Sequence, residues 1–433
     1  MSRPSSAGTR ADDASIERRT IRKIRLRILP FLFILYVVAF LDRVNIGFAA
    51  LTMNKALAIT SQQFGLLAGI FFIGYFFFEI PSNILLHKLG ARVWIARILL
   101  SWGLVSACNG LAQSATHLYI VRFLLGIAEA GFFPGMILYL TYWFRQREQA
   151  RAVALFMAAL PVSNVIGAPI SGLILDHAHW FGVASWRWLL ALEALPAIVL
   201  GVATWLLLPN GPEDARFLDR REKDWLHAEL ARESAKRERM RATRALLSGR
   251  VWHLTFVYFT LVVGLYVMSF WLPQVVKGLS AHYSNTTVGV LVTIPHAVGF
   301  AVMLLVSRHS DRTGERRWHV ALSALAAAAA MFTVGLVGSP LLSIALLTLM
   351  ASGIYSFFGP FWALPNRFLT GFAAASGIAL INSVGNLGGF VGPYMIGSVT
   401  TWTGSNYWGL VFAGASLVAC AVLVVCLRRT ATT

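Results

Sequence analysis

Gly90-Ala91-Arg92-Val93-Trp94 is matched, 224 residues further along the chain, by Gly314-Glu315-Arg316-Arg317-Trp318. Each stretch is short and basic, and each separates two long apolar segments. The same offset carries Pro169 onto Pro393, which lie in equivalent apolar segments. Two matches at one offset are difficult to obtain by chance in so apolar a chain. The sequence therefore predicts two similar halves.

The composition is typical of a protein embedded in a membrane. Of the 433 residues, 57% are hydrophobic and only 13% are charged, and the mean hydropathy is +0.66. Soluble domains carry about 25% charged residues. The net charge of +18 does not indicate nucleic acid, because most basic residues lie in short loops between apolar segments. That placement is typical of cytoplasmic loops, so we expect a lipid bilayer as the partner and no nucleic acid.

Twelve apolar segments are long enough to cross a bilayer, which takes about 20 residues in a helix. They lie near 27–51, 62–87, 93–112, 117–143, 150–175, 187–208, 253–277, 285–308, 318–338, 341–364, 374–400 and 405–428. The predicted fold class is an all-α membrane protein with twelve transmembrane helices in two pseudo-symmetric six-helix bundles. The predicted divisions are a cytoplasmic tail at 1–26, an N-terminal bundle at 27–208, a cytoplasmic linker at 209–252 and a C-terminal bundle at 253–428.

The basic residues of alternate loops predict that both termini are cytoplasmic in a multi-pass protein of the bacterial inner membrane. On that side lie Arg18, Arg19, Arg22, Lys23, Lys88, Arg92, Arg145, Arg147, Arg308, Arg312, Arg316, Arg317, Arg428 and Arg429. The opposite loops carry little beyond Lys55, Arg187 and Lys277. The linker has no Gly or Pro between 216 and 244 and mixes both signs of charge. It predicts a solvated helix, with a docking site as the alternative.

Four charged residues lie inside apolar segments of the first half: Asp42, Arg43, Arg122 and Glu129. A charge in the bilayer core costs at least about 2.5–3.5 kcal/mol, so such residues are usually functional. With both acids ionised, the four charges sum to zero and can pair internally. If Asp42 and Glu129 take up protons, two guanidinium groups are left to bind an anion. The alternative is a set of salt bridges that only hold helices together.

Other acids and polar residues are candidates of a second kind. Glu79 is expected to pair with Arg97 or Arg151, and Glu193 is expected to be structural. The second half has no charge well inside its segments, and its candidates are polar or aromatic: Tyr355, Ser356, Trp362, Asn382, Asn386 and Tyr394. Asn382 and Asn386 lie four residues apart on one helix face and can bind a ligand or hydrogen-bond a neighbouring helix. Weaker candidates are Ser163 and Asn164, and His296 is left out of the mechanism.

Several motifs resemble a known family. Ser310-Asp311-Arg312-Thr313-Gly314-Glu315-Arg316-Arg317 is similar to the cytoplasmic loop motif of the major facilitator superfamily. Leu41–Gly47, Phe78–Asn83 and Ala128–Gly135 resemble the anion:cation symporter branch, which includes permeases for tartrate, phthalate, sugar acids and hydroxyphenylacetate. The resemblance covers nearly the whole chain. His87 stands where the second half has Asp311, so a gate that depends on this acid relies on the second half.

The resemblance implies roles for particular residues. Asp42 and Glu129 carry protons, and Arg43 and Arg122 bind substrate. The further substrate contacts it implies are Trp362 and Asn382, facing Tyr75. Asn386, which shares a helix face with Asn382, is also a predicted substrate contact. The loop residues expected to form a gate on the cytoplasmic side are Gly90, Arg92, Asp311, Arg312, Gly314 and Arg316.

The predicted function is proton-coupled import of a small carboxylate, such as tartrate, a sugar acid or an aromatic acid. Alternating access, with substrate bound near mid-membrane, is the expected mechanism. We expect a monomer that uses protons as the coupling ion, without cofactor or metal; Asp176, His177 and His179 form at most a weak metal motif. An enzyme is not expected. A proton-driven exporter and, less favoured, a non-transporting membrane sensor are the alternatives.

Overall fold

The computed structural model describes residues 6–236, 248–365 and 371–427, and the regular structure of these residues is entirely helical. Arg428 and Arg429, two of the basic residues used to predict topology, lie outside the described residues. Seventeen α-helices are described, with short 3₁₀ turns between some of them. Their bounds are α1 Ser6–Val44, α2 Ile46–Ala56, α3 Ser61–Leu89, α4 Ala91–Cys108, α5 Ala115–Glu129, α6 Phe132–Thr141, α7 Gln146–Met157, α8 Ala159–His177, α9 Ser185–Leu207, α10 Arg220–Lys236, α11 Gly249–Gly278, α12 Asn285–Thr313, α13 Arg317–Val334, α14 Pro340–Trp362, α15 Gly371–Asn386, α16 Gly388–Thr403 and α17 Asn406–Val425.

Eleven stretches of the described chain are long and apolar enough to cross a membrane, and α1–α2 and α5–α6 each count as one of them. The span predicted at 374–400 is divided between α15 and α16, with 16 residues each. Counting this divided span gives the twelve that were predicted. Gly388 lies at the break, where its backbone packs directly on α11 at Phe259. A side chain would prevent this approach, and glycine is also a weak helix former.

The loops alternate between two faces of the bundle. We call the face with the loop 208–219 and α10 the linker face, and the face with loops 57–60, 178–184 and 279–284 the far face. On the far face, α3 begins with a capping box: Thr60 Oγ1 accepts from the Gln63 N–H at 3.2 Å, and Gln63 Oε1 accepts from the Thr60 N–H at 3.0 Å. This arrangement satisfies N–H groups at the start of a helix that would otherwise be unpaired.

The two halves meet along two equivalent seams. In one seam α3 packs on α16, and a Cβ at Gly65 would lie 3.1 Å from the carbonyl carbon of Pro393. In the other, α8 packs on α12, and a Cβ at Gly289 would lie 3.1 Å from Pro169 Cα. Both the glycines and the prolines are related by the offset of 224 residues. The repeat read from the sequence is therefore present in the packing, and only glycine permits backbones this close.

The far face is held shut across the second seam. Asp176, near the end of α8, accepts hydrogen bonds at 2.7–3.2 Å from the first two residues of α12. The donors are the N–H and side chain of Asn285 and the N–H and hydroxyl of Thr286. A carboxylate at a helix N-terminus also interacts favourably with the helix dipole. Asp176 therefore links the two halves at the far face.

Helix α10 confirms the helical part of the linker prediction and adds a docking contact. Glu222 is fully buried and accepts hydrogen bonds from Arg19 at 2.7 Å and Lys23 at 2.8 Å, both on α1. Arg145, at the linker face, pairs with Glu17 at 2.7 Å and with Glu229 of α10 at 3.3 Å. The solvated helix expected from the sequence is therefore fastened to the first half by ion pairs.

Candidate functional site

Arg43 lies at the interface between the two halves. It is in the last turn of α1, and its guanidinium pairs with Glu129, the last residue of α5. Its Nη1 also donates to the hydroxyl of Tyr266, on α11 in the second half, at 2.9 Å. All three side chains are buried. Because helix C-termini carry partial negative charge, Arg43 is favoured at this position and Glu129 is disfavoured without a cationic partner.

A break in the helix after Glu129 places its carboxylate beside Arg43. Ala130 leaves the helical region, and Gly131 has φ +83° before α6 begins. Positive φ strains most residues with a side chain, which explains the glycine. One carboxylate oxygen, Glu129 Oε2, has no hydrogen-bond partner among the described residues. The pair is thus buried and incompletely satisfied, a condition in which removing either partner is costly.

Arg122 is the second buried guanidinium, two helical turns before Glu129. Its Nη2 donates to the main-chain oxygen of Arg43 at 3.4 Å, and its Nε has no partner in the described part of the chain. The Arg43 and Arg122 guanidiniums lie 5.2 Å and 5.5 Å from the centroid of one ring, that of Phe71. Two guanidiniums on one aromatic ring, of which only Arg43 pairs with a described carboxylate, leave positive charge available to an anion.

Asp42 is buried inside the first half. Its carboxylate accepts hydrogen bonds from Trp102 Nε1, from the Ser106 hydroxyl at 2.5 Å and from Asn45 Nδ2 at 3.1 Å. These donors are all neutral. The expectation of two internal acid–arginine pairs is therefore wrong for Asp42, because successive residues on a helix point about 100° apart. The Asp42 side chain points toward α4, whereas the Arg43 side chain points toward α11 in the second half.

Glu79 is not where the sequence placed it. It was expected to pair with Arg97 or Arg151, but its Oε1 accepts from Nδ2 of Asn382, across the halves, at 3.3 Å. Arg97 instead stacks on the Trp94 ring at 4.5 Å. The side chain of Arg151 is outside the described residues. Glu79 thus joins Asn382 at the interface between the halves.

The other predicted contacts lie around this interface. Tyr75 is buried with its ring 5.6 Å from the Arg43 guanidinium, and Trp362 packs beside Tyr258 with ring centroids 5.1 Å apart. Asn386 is half-buried, one turn beyond Asn382 on α15. The structure therefore brings Tyr75 close to the arginines and Asn382 close to Glu79.

The two weaker candidates form hydrogen bonds within their own helix, and His296, which was left out of the mechanism, bonds a neighbouring helix. Ser163 and Asn164 donate to the main-chain oxygen of Leu160 in their own helix, at 2.9 Å and 3.1 Å. His296 hydrogen-bonds Tyr355 at 2.7 Å. Glu193, expected to be structural, accepts from Ser171 at 2.6 Å within the first half.

The loop residues predicted to form a gate contact their own halves. Asp311 pairs with Arg316 at 2.6 Å, and Arg92 donates from Nε to the Leu208 carbonyl at 2.6 Å. Arg312 is exposed. Gly90 and Gly314 both have positive φ, +85° and +68°, but their ψ angles of 153° and −2° differ, so the matched sequence pattern does not give the same backbone turn. Their role in a gate stays a prediction.

Within the part of the chain described, no group of three or more metal-ligating side chains is found. The weak motif at the end of α8 is explained by other contacts. Asp176 caps α12, and His177 Nδ1 lies 3.0 Å from the Leu173 carbonyl.

The sequence-family model described as "Major Facilitator Superfamily" matches residues 32–393 of this chain. The chain belongs to this superfamily. One relative, from Agrobacterium vitis and named "Putative tartrate transporter", is 48% identical over 97% of this chain and 97% of its own. A "Quinolone resistance transporter" of Acinetobacter baumannii is 40% identical over 92% of both chains.

Among solved structures of the superfamily, the xylose transporter XylE from Escherichia coli, in a partially occluded inward-open conformation, superposes with a TM-score of 0.72. It is 16% identical, and the match covers 95% of this chain and 98% of that one. At this identity the likeness concerns the fold alone. With its apolar helices, the chain is a multi-pass membrane transporter of this superfamily and not an enzyme.

Sequence reasoning missed three partners of the central charges. Tyr266, which binds Arg43, is the repeat equivalent of Asp42, so the 224-residue offset could have found it. Trp102 and Ser106, which bind Asp42, carry no comparable signal, since they lie in an ordinary apolar helix. In chemical terms, the site combines an arginine paired with a buried carboxylate, a second buried arginine and a separate buried acid.

Proposed function

We propose that this protein is a proton-coupled symporter that imports a small organic anion by alternating access. In this proposal it works as a monomer in the bacterial inner membrane, with both termini cytoplasmic and protons as its only coupling ion. The bacterial relative named for tartrate supports the substrate class, because it aligns over nearly its full length. Tartrate, sugar acids and aromatic acids remain the candidate substrates.

The observation that carries the proposal is the Arg43–Glu129 pair at the interface between the halves. A carboxylate substrate and Glu129 are competitors for the same guanidinium. Protonating Glu129 removes its charge and frees Arg43 to grip the substrate carboxylate. Proton uptake and anion binding then favour one another, which is the thermodynamic requirement for symport.

Arg122 and Asp42 complete the cycle in this proposal. Arg122 provides a second positive charge on the Phe71 ring for the same anion. Asp42 is bound by neutral donors, so its protonation breaks no ion pair. We assign it the second proton-binding role, in which its charge alters the field at the two arginines.

Alternating access requires the two faces of the bundle to open in turn. With the far face held by Asp176 and the α12 N-terminus, loading from outside requires these bonds to break. Arg43 bonds Glu129 in one half and Tyr266 in the other, so release of Arg43 loosens a contact between the halves. We assign the gate on the linker face to Asp311, Arg316 and the equivalent loop at Gly90, which would pair across the halves when the far face opens.

Uptake into proteoliposomes tests the proposal. Purified protein should accumulate labelled tartrate, gluconate or 4-hydroxyphenylacetate when the outside is acidified, and a proton ionophore should abolish accumulation. Arg43→Gln should abolish binding and uptake. Arg97→Gln is the matched control, because Arg97 stacks on Trp94 away from the seam and should leave uptake unchanged. Transport of none of the acids, or accumulation that ignores the proton gradient, would contradict the proposal.

Export of antibiotics is the second candidate, favoured by the relative named for quinolone resistance. Everted membrane vesicles separate the two. An exporter would load a fluorescent quinolone into everted vesicles when the lumen is acidic, whereas the proposed importer would not.

A further inference from the structure

Glu79 is a buried acid that the proposed transport cycle does not use. Its side chain is 2% exposed and lies on α3, at the interface with α15. Its Oε1 accepts a hydrogen bond from Asn382 at 3.3 Å and the Ser383 hydroxyl also interacts with the carboxylate, while Oε2 accepts no hydrogen bond within 3.5 Å from a described residue. No described lysine or arginine forms an ion pair with it. Buried polar atoms are rarely left without a partner, so an orphaned carboxylate oxygen points to a missing donor.

A second orphaned polar atom lies one helical turn away. Tyr75 is also on α3, on the same face as Glu79, and its hydroxyl has no partner in the described part of the chain. The Tyr75 ring lies 5.6 Å from the Arg43 guanidinium, and Glu79 is near enough to Arg43 for an electrostatic interaction. The Tyr75 ring therefore lies beside the guanidinium that we assign to the substrate carboxylate, and Glu79 lies one helical turn further along α3.

The chemistry of this cluster selects one kind of ligand group. An ionised carboxylate accepts hydrogen bonds and donates none, whereas the Asn382 amide and the Tyr75 hydroxyl can do both. An alcohol hydroxyl can donate to Glu79 and accept from Asn382 or Tyr75. A second carboxylate would be repelled by Glu79, and an apolar tail would leave the buried oxygens unsatisfied.

We propose that Glu79, with Asn382 and Tyr75, forms a subsite for a hydroxyl group of the substrate. This inference rests on the proposed function, in which Arg43 holds the substrate carboxylate. The preferred substrates are then hydroxy acids, with a hydroxyl a short distance from the carboxylate. For a dicarboxylate such as tartrate, the two carboxylates go to Arg43 and Arg122, and a hydroxyl goes to Glu79.

Matched pairs of acids test the subsite. Tartrate and succinate have the same four-carbon dicarboxylate skeleton with and without hydroxyls, and mandelate and phenylacetate are the aromatic pair. Affinity is measured with the purified full chain as thermal stabilisation against acid concentration. Wild type should bind the hydroxylated member of at least one pair about tenfold or more tightly, as expected for a hydrogen bond to a charged group.

Glu79→Ala should remove most of that preference by weakening the hydroxylated acid about tenfold, with the other acid changed less than about twofold. Glu79→Gln keeps the shape and one acceptor oxygen, so it should lose only part of the preference and serves if the alanine variant fails to fold. The matched control is Glu193→Gln, a buried acid bonded to Ser171 within the first half, which should keep the wild-type ratio.

Failure of the hydroxyl subsite and failure of the proposed function give different experimental results. Equal losses for both members of a pair would show a structural role for Glu79 and overturn the subsite. A wild type with no preference for the hydroxylated acids, or a preference that survives both Glu79 variants, would overturn it as well. If instead no acid binds, or Arg43→Gln leaves binding unchanged, the proposed function itself fails.

Discussion

Replacing Glu129 by glutamine should separate anion binding from proton coupling. Glu129→Gln keeps the side-chain shape but removes the charge that competes with substrate for Arg43. In wild type the anion must displace a buried carboxylate whenever Glu129 is ionised. Affinity for the anion should therefore fall as pH rises in wild type and depend less steeply on pH in the variant, in which Asp42 still titrates.

The size of the effect follows from the two bonds that compete. Leaving one member of a buried ion pair without its partner costs about 3–5 kcal/mol. A hydrogen bond from a charged donor to a neutral acceptor contributes about 1.5–3 kcal/mol. The neutral amide therefore competes with the anion less strongly by roughly 1–3 kcal/mol. At alkaline pH the variant should bind about 5- to 150-fold more tightly than wild type, at 1.4 kcal/mol per factor of ten.

The assay is titration of the purified protein with its best acid at alkaline and mildly acidic pH, followed by transport. In proteoliposomes the variant should exchange internal for external anion but fail to accumulate it against a gradient. Glu213→Gln, an acid-to-amide change at an exposed position of the loop 208–219, is the control and should behave as wild type. A Glu129→Gln variant with the wild-type dependence of affinity on pH would refute the reasoning, as would loss of exchange together with accumulation.

Three further outcomes are expected. Asp42→Asn should abolish accumulation but lower the thermal stability little, because it breaks no ion pair; a loss of stability as large as that from Arg43→Gln would contradict this. Asp176→Ala removes four hydrogen bonds between the halves at the far face, each to a charged acceptor and worth about 1.5–3 kcal/mol. Spin labels on loops 178–184 and 279–284 should report a larger distance between the loops in this variant. An unchanged distance would refute the role of Asp176 in holding the far face closed. Burial raises the pKa of Glu222, but hydrogen bonds, first among them that from Lys23, outweigh it and hold the pKa below its usual value. The stability that Glu222 gives to docking of α10 is therefore present above the usual Glu pKa and lost as pH falls through the lowered one. A spin label on α10 should become mobile in that acid range, and Glu222→Gln should abolish the transition.

The architecture could be predicted because it depends on segment length and on the repeat. Apolar segments of about 20 residues have few alternatives to crossing a membrane as helices. The sequence predicted the equivalence of Pro169 and Pro393 but not their place in the two seams, where Gly289 and Gly65 pack against them. The break near Gly388 was not predicted, because a short glycine-rich stretch within an apolar segment is also compatible with a continuous helix.

The pairing of the charges was less predictable, because it depends on helix rotation and on contacts between halves. Asp42 and Arg43 are neighbours in the sequence, yet Asp42 points toward α4 and Arg43 points toward α11 in the second half. Glu79 was assigned to arginines of its own half, whereas its partner Asn382 lies about 300 residues away, across the interface. Such contacts are set by tertiary packing, which leaves no periodic signal in a single sequence.

Protons taken up on substrate binding give the most direct test of the central claim, which is that an anion replaces Glu129 on Arg43. The organic acid that binds most tightly is added, as its salt at matched pH, to purified protein in weakly buffered solution near neutral pH. The pH change is followed with an indicator dye. Wild type should take up protons as the anion binds, and Glu129→Gln should take up fewer while binding at least as tightly. Binding by wild type without proton uptake, or equal uptake by wild type and the variant, would contradict the claim.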